Sequence, residues 1–331
     1  MTMATMTPMA TTQYFRTPDG IRLAYLDLGG TGRPVLALHG AYGRGRSMLG
    51  LADHLGPEYR LIALDQRGHG LSDHPDDYGR EGYIADAAAL VEHLGLGPVA
   101  IVGHSLGGIT AYQLAARRQE LVSAVVVVDF PAEYRAPIGD DQLCALPTHF
   151  PSMRAMLDAL AFMDEPRHFT ESAVEEPEGW RFLWRPEEIH AAKVAVRGDW
   201  WDDFTAAEQP LMVVRGGRST LVPHQHAEEM VRLRPGTEVV TIDGHHDFYI
   251  THQAELGATV REFLDRTDPV DDDSATRRGG VECFVECIVE RSEVDAGVSW
   301  SEVELMPRLR RTLRLRCKRS PWRRGSGCCG E

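Results

Sequence analysis

Val99-Ala100-Ile101-Val102-Gly103-His104-Ser105-Leu106-Gly107-Gly108 is the most informative segment of the chain. Its first four residues read as a short buried strand, and Ile109-Thr110-Ala111-Tyr112-Gln113-Leu114-Ala115-Ala116 continues as a helix. Between them, Gly-x-Ser-x-Gly has the form of a nucleophile elbow, a strand-to-helix turn that holds one serine hydroxyl clear of the sheet. The chemistry accounts for the spacing. Such a turn strains the serine backbone, and glycines two residues to either side let strand and helix approach closely. The first N–H groups of the helix then point at the place where negative charge develops on a reacting carbonyl. Ser105 is the candidate nucleophile; the plainer alternative is a Gly-Ser turn closing a βα unit.

Two further stretches lie upstream. Val35-Leu36-Ala37-Leu38 is an apolar strand that ends in His39-Gly40-Ala41-Tyr42, and Leu61-Ile62-Ala63-Leu64 runs into Asp65-Gln66-Arg67-Gly68-His69-Gly70-Leu71-Ser72-Asp73. With these three motifs in order, the chain resembles the α/β-hydrolase superfamily over about residues 14–266. The resemblance implies an α/β fold: a mostly parallel, doubly wound sheet with a helical cap inserted after the sixth strand. It also implies a capped serine hydrolase of carboxylesterase or lactonase type. The oxyanion donors it implies are the backbone N–H of Leu106 and that of Ala41, with Tyr42 as the alternative to Ala41. His39 and His104 read as loop-shaping residues, because the family's base comes from near the end of the domain.

That base is expected between the strand Thr237–Ile242 and the helix Ala254–Leu264, where Asp243-Gly244-His245-His246-Asp247-Phe248 offers two histidines. The family spacing favours His246, with His245 as the alternative. The acid departs from the commonest pattern. After the seventh strand, Leu211–Val214, most relatives carry Gly-x-x-Asp, but here the sequence is Gly216-Gly217-Arg218-Ser219. A serine supplies no negative charge to an imidazolium, so Ser219→Ala is expected to be nearly silent. Some relatives place the acid after the sixth strand, and Val125–Val128 ends at Asp129-Phe130-Pro131. Asp129 is therefore the expected acid, against a plain turn-capping role before proline. The triad order is Ser105, Asp129, His246, with His246 as general base and an acyl-enzyme on Ser105.

Residues 131–208 are too long for a plain connection. They are rich in aromatics, and Met153, Met156, Leu157 and Leu160 fit one helical face. The expected division is residues 1–13 as a flexible start, 14–130 and 209–266 as the hydrolase core, 131–208 as the cap, and 267–331 as a disordered C-terminal extension. That extension is balanced in charge, runs from acidic Asp268–Asp273 to basic Arg308–Arg324, and holds five of the six cysteines. A basic arm for nucleic acid or a membrane surface, and a metal-bound mini-domain, are its alternative readings.

Composition bounds the rest. The net charge of −14 lies in the residues before the extension, which argues against nucleic acid as a partner of the catalytic part. No apolar run is long enough to span a membrane. Met1–Gln13 lacks a basic start and an apolar centre, so no secretory signal is expected, and the scarcity of cysteine fits a cytoplasmic enzyme. The adjacent histidines lack companions for a ligand set, and His224 and His226 read as opening an exposed helix after Pro223, so neither a metal nor a cofactor is expected. The expected function is hydrolysis of a small carboxylic ester. Alternatives are a lactonase (acyl-homoserine lactones included), a C–C bond hydrolase, a cofactor-free haloperoxidase-like enzyme, or a ligand-binding protein on a hydrolase fold.

Overall fold

The computed structural model describes residues 11–137, 142–163 and 166–267. The expectations for residues 1–10 and for the extension from 268 onward lie outside the described residues. Along the chain run β1 (Thr12–Arg16), β2 (Arg22–Asp27), β3 (Arg33–Leu38), α1 (Ala52–Leu55), β4 (Tyr59–Leu64), α2 (Arg80–His93), β5 (Val99–His104), α3 (Leu106–Arg117) and β6 (Val122–Val128). After a long inserted segment come β11 (Leu211–Gly216), α7 (His224–Leu233), β12 (Glu238–Ile242), α8 (Phe248–Thr251) and α9 (Gln253–Thr267). The insert itself supplies β7 (Glu133–Tyr134), α4 (Met153–Ala159), β8 (Ala173–Glu176), β9 (Gly179–Phe182), α5 (Pro186–Ala195), β10 (Gly198–Asp199) and α6 (Trp201–Ala206).

Eight strands form one sheet in the order β1-β2-β4-β3-β5-β6-β11-β12. β1, β2 and β4 pair antiparallel, and every other neighbouring pair is parallel. The central strands are nearly continuous apolar runs because both faces of the sheet are covered. Their alternate residues enter different cores. Leu36, Leu38, Val125 and Val127 join α2, α3 and α7 on one face. Val35, Ala37, Val126 and Val128 join Leu55 of α1 and Val260 and Phe263 of α9 on the other.

The inserted segment builds a third cluster from Phe150, Met156, Leu160, Phe169, Phe182 and Trp184. Met156 and Leu160 are fully buried and Met153 half-buried, as the helical spacing of α4 requires. Ser152 caps that helix by accepting the Ala155 N–H at 3.1 Å. α5 opens with Pro186 at its first turn and Glu187 and Glu188 beside it, which suits the positive helix end. The segment is not all helix. β8 and β9 form an antiparallel ribbon joined by Pro177 and Glu178, and β7 pairs with β10. Trp180 and Phe182 alternate along β9 after a Pro-Glu-Gly turn, opposite Glu175 and Ala173 of β8, which favours a hairpin there over a helix. At the N-terminus β1 begins at Thr12, so the last two residues of the expected flexible start are strand. Among the described residues no helix is long and apolar enough to cross a membrane.

Candidate active site

β5 delivers Ser105 to the end of the sheet in a conformation that other residues rarely adopt, with φ 51° and ψ −112°. Its neighbours hold it there. The Ser105 N–H donates to Val128 O at 2.9 Å, and its carbonyl accepts the Gly108 N–H at 2.8 Å. A Cβ on Gly103 would lie 2.1 Å from Gly107 O, and one on Gly107 would lie 2.2 Å from Leu38 O. Strand, turn and helix approach too closely for any side chain at these two places. Leu106 begins α3, where a backbone N–H has no acceptor four residues back.

The loop after β3 packs on this turn. A Cβ on Gly40 would fall 3.2 Å from that of Ser105, and Ala41 and Tyr42 line the same cavity as Ser105 and Leu106. Tyr42 has a left-handed backbone, φ 66°. Its ring meets Trp184 at 5.1 Å and Phe169 at 5.7 Å, centroid to centroid. His39 is built into the scaffold: its Nδ1 bonds Gly40 O at 2.7 Å and its Nε2 accepts the Gln66 N–H at 3.0 Å. The Asp65–Asp73 motif is likewise structural. Asp65 accepts the Gly45 and Leu71 N–H groups, and Arg67 makes a buried bidentate pair with Asp86 at 2.7 and 2.9 Å. Burial pushes the Asp65 carboxyl above the usual carboxylate range and pushes the His69 imidazole down to about 4.

β6 ends at Asp129, which turns its backbone into the left-handed region at φ 53° while its N–H donates to Val214 O of β11 at 2.8 Å. The Asp129 side chain is fully buried. Oδ1 accepts the Gly216 N–H at 3.0 Å, and Oδ2 accepts both the Ser219 hydroxyl at 2.5 Å and His246 Nδ1 at 2.8 Å. Because an ionised carboxylate only accepts, an ionised Asp129 places the proton of that last bond on Nδ1 and leaves His246 Nε2 as the basic nitrogen. His246 is one-third exposed and lines the cavity with Ser105. His245, one residue away, is exposed. His104 donates from Nε2 to the His246 carbonyl at 3.0 Å, and its ring stacks on Tyr249 at 4.0 Å.

Asp129, His246, Ser105, Leu106, Ala41 and Tyr42 thus converge at one end of the sheet. Ser219 lacks a charge, and its hydroxyl bonds to the acid candidate, because β6 and β11 are hydrogen-bonded neighbours that end side by side. The signal available in the sequence was a short hydroxyl side chain three residues beyond the strand end. His224 is exposed, while His226 Nε2 accepts the Ala132 N–H at 3.2 Å. No group of three or more metal-ligating side chains occurs among the described residues.

The cavity over Ser105 measures about 600 Å³, large enough for a small-molecule substrate. Phe130, Tyr134, Met163, Phe169, Val196 and Leu221 give it apolar walls, and Lys193 and Arg218 also face it. Lys193 Nζ lies 5.8 Å from the centre of the Tyr42 ring.

Comparison with known proteins adds the family context. A family profile described as alpha/beta hydrolase fold matches residues 33–156. The 2-(acetamidomethylene)succinate hydrolase of Mesorhizobium japonicum is 31% identical over 256 residues, covering 71% of this chain and 89% of that protein. An sn-1-specific diacylglycerol lipase of Mus musculus is 29% identical over 227 residues, covering 63% and 73%. The crystal structure of E-2-(acetamidomethylene)succinate hydrolase superposes with a TM-score of 0.67 at 27% identity, covering 77% of this chain and all of that one.

Proposed function

Because the chain belongs to the α/β-hydrolase family, we propose that it cleaves small carboxylic esters through an acyl-enzyme on Ser105. The observation that carries this reading is the 2.8 Å bond between His246 Nδ1 and buried Asp129, on the cavity that Ser105 also lines. His246 Nε2 takes the Ser105 proton as Oγ attacks the ester carbonyl. The backbone N–H groups of Leu106 and Ala41 stabilise the tetrahedral oxyanion, with Tyr42 N–H as the alternative second donor. His246 then gives its proton to the departing alcohol. A water molecule, deprotonated by the same nitrogen, releases the acid and restores Ser105. Asp129 holds the imidazole in the productive tautomer throughout.

Residues 131–208 serve as the cap that closes over this chemistry and excludes water. The single cysteine of the catalytic part, Cys144, suits work in a reducing cytoplasm. A second reading is hydrolysis of a small anionic acyl compound. Lys193 and Arg218 at the cavity favour it, as does the succinate derivative in the name of the Mesorhizobium relative.

The test is a panel of p-nitrophenyl esters, acyl-homoserine lactones and succinate monoesters, with Ser105→Ala beside the wild type. Turnover that vanishes in the variant, with a burst of p-nitrophenol equal to the enzyme concentration, supports acyl transfer. Preference for the succinate monoesters favours the second reading. A folded wild type that acylates with none of the panel overturns both.

A further inference from the structure

The Asp129 carboxylate is held by three donors from two elements. His246 and Ser219 share Oδ2, and Gly216 N–H takes Oδ1. The Ser219 hydroxyl is directed rather than incidental: Leu221 N–H donates to Ser219 Oγ at 3.2 Å, so one lone pair is occupied and the hydroxyl proton is left for Asp129. The turn that carries Ser219 is itself fastened. Ser219 N–H donates to Gly216 O at 3.1 Å, Gly217 N–H to Ile242 O at 2.7 Å, and Arg218 N–H to Gly244 O at 3.0 Å. The last two bonds tie the turn to the strand and loop that carry His246. Gly216 has no room for a side chain, since a Cβ would sit 2.7 Å from Gly244 O and 3.0 Å from the Ser219 Cβ.

We propose that Ser219 is a positioning residue for hydrolysis: its hydroxyl fixes Asp129 Oδ2 against His246 and moderates the negative charge that the imidazole meets. The inference rests on the reading of Ser105, His246 and Asp129 as the reacting set. A short charge-assisted bond restricts rotation of the carboxylate, and with it the orientation of the imidazole. It also draws electron density from the oxygen that faces His246. Removing it loosens the geometry and leaves more negative charge to hold the proton on the imidazolium. The two effects have different signatures, a lower kcat and an acid limb displaced to higher pH.

Other charges around His246 stay in place when Ser219 is changed. His104 lies against its ring at 4.6 Å, and Tyr249 stacks behind His104. His245, Asp247, His252, Arg218 and Lys193 face the same cavity.

The experiment measures kcat and KM on an ester substrate across pH for the full-length wild type, Ser219→Ala, Ser219→Thr and Asp129→Asn. Ser219→Ala is expected to lower kcat about tenfold with little change in KM and to move the acid limb up by about half a pH unit. Ser219→Thr, which keeps the hydroxyl, is expected to restore both to near wild type. If Ser219→Ala matches wild type in kcat and acid limb while Asp129→Asn is inactive, the role of Ser219 is overturned and the triad reading stands. If Asp129→Asn is also fully active, the triad reading itself fails. Should Ser219→Ala melt at a much lower temperature, Ser219→Thr decides the matter, since loss of rate in a folded variant that retains the hydroxyl also overturns the proposal.

Discussion

Replacing Asp129 by asparagine changes one atom in a fully buried side chain, and its consequence follows from the three bonds that side chain accepts. Gly216 N–H faces Oδ1 at 3.0 Å, so the asparagine must place its carbonyl there; the opposite orientation sets two N–H donors against each other. The amide nitrogen then occupies the place of Oδ2, where it donates to Ser219 Oγ and to His246 Nδ1. His246 is driven into the tautomer with its proton on Nε2, the nitrogen that accepts from Ser105 in the proposed mechanism. Volume and hydrogen-bond count are nearly conserved, so the fold survives while the base is lost. The expected fall in kcat is about 10⁴-fold, equivalent to about 5.5 kcal/mol of barrier at 1.36 kcal/mol per decade. The assay is steady-state release of p-nitrophenol at pH 8, with a thermal melt of the same preparation. A variant that melts like wild type and retains kcat within about tenfold would exclude Asp129 as the group that sets the His246 tautomer.

A second prediction concerns acid stability. His69 is buried, and desolvation holds its imidazole at about 4 against an ordinary value of 6.5. Between those values the unfolded chain binds a proton that the folded chain refuses. Stability from this group is therefore complete above pH 6.5 and declines by about 3 kcal/mol as pH falls to 4. Urea midpoints for wild type and His69→Gln at pH 7 and 4.5 check this; the variant's curve should be flatter, and parallel curves would exclude His69 as the cause. A third concerns the elbow. Helix propensity alone says that Gly107→Ala stabilises α3 by about 1 kcal/mol, whereas the 2.2 Å approach of its Cβ to Leu38 O predicts a net loss of about 2 kcal/mol or more. A melting temperature at or above that of wild type would show that the strand–helix contact can relax.

The parts of this molecule that sequence reading reached are those where one physical constraint dominates. β3, β5, β6 and β11 are buried on both faces, so each holds an apolar run of four residues or more, and the loops at their ends carry the candidate site. His246 and His245 differ by one residue, and only the backbone path of the loop decides which ring turns inward to Asp129. The left-handed φ of Asp129 has no marker in Asp-Phe-Pro, yet it brings the carboxylate alongside β11. Ser219 reads as an absence because a sequence pattern records which acid is missing and not which hydroxyl the remaining acid needs. In the inserted segment, the helical cap is what the family resemblance implies. The ribbon of β8 and β9 was marked only by a Pro-Glu-Gly turn, a local cue outweighed by the helical spacing of α4.

The contact of Tyr42 with Trp184 and Phe169 bears on how this enzyme can be re-engineered. Libraries that reshape substrate range ordinarily begin with the large aromatics of the inserted segment. Here those rings lean on the residue next to Ala41, and Phe169 also lines the cavity over Ser105, so enlarging the pocket at Phe169 also disturbs the loop proposed to offer its amide to the reacting oxygen. Selectivity and turnover will change together in such libraries, and improved binders will often be slow. Val196 and Leu221 face the same cavity but pack with the core cluster of α2 and α3 rather than with Phe169 and Trp184. Diversity placed there lets substrate choice drift while the Ala41-Tyr42 loop keeps its support.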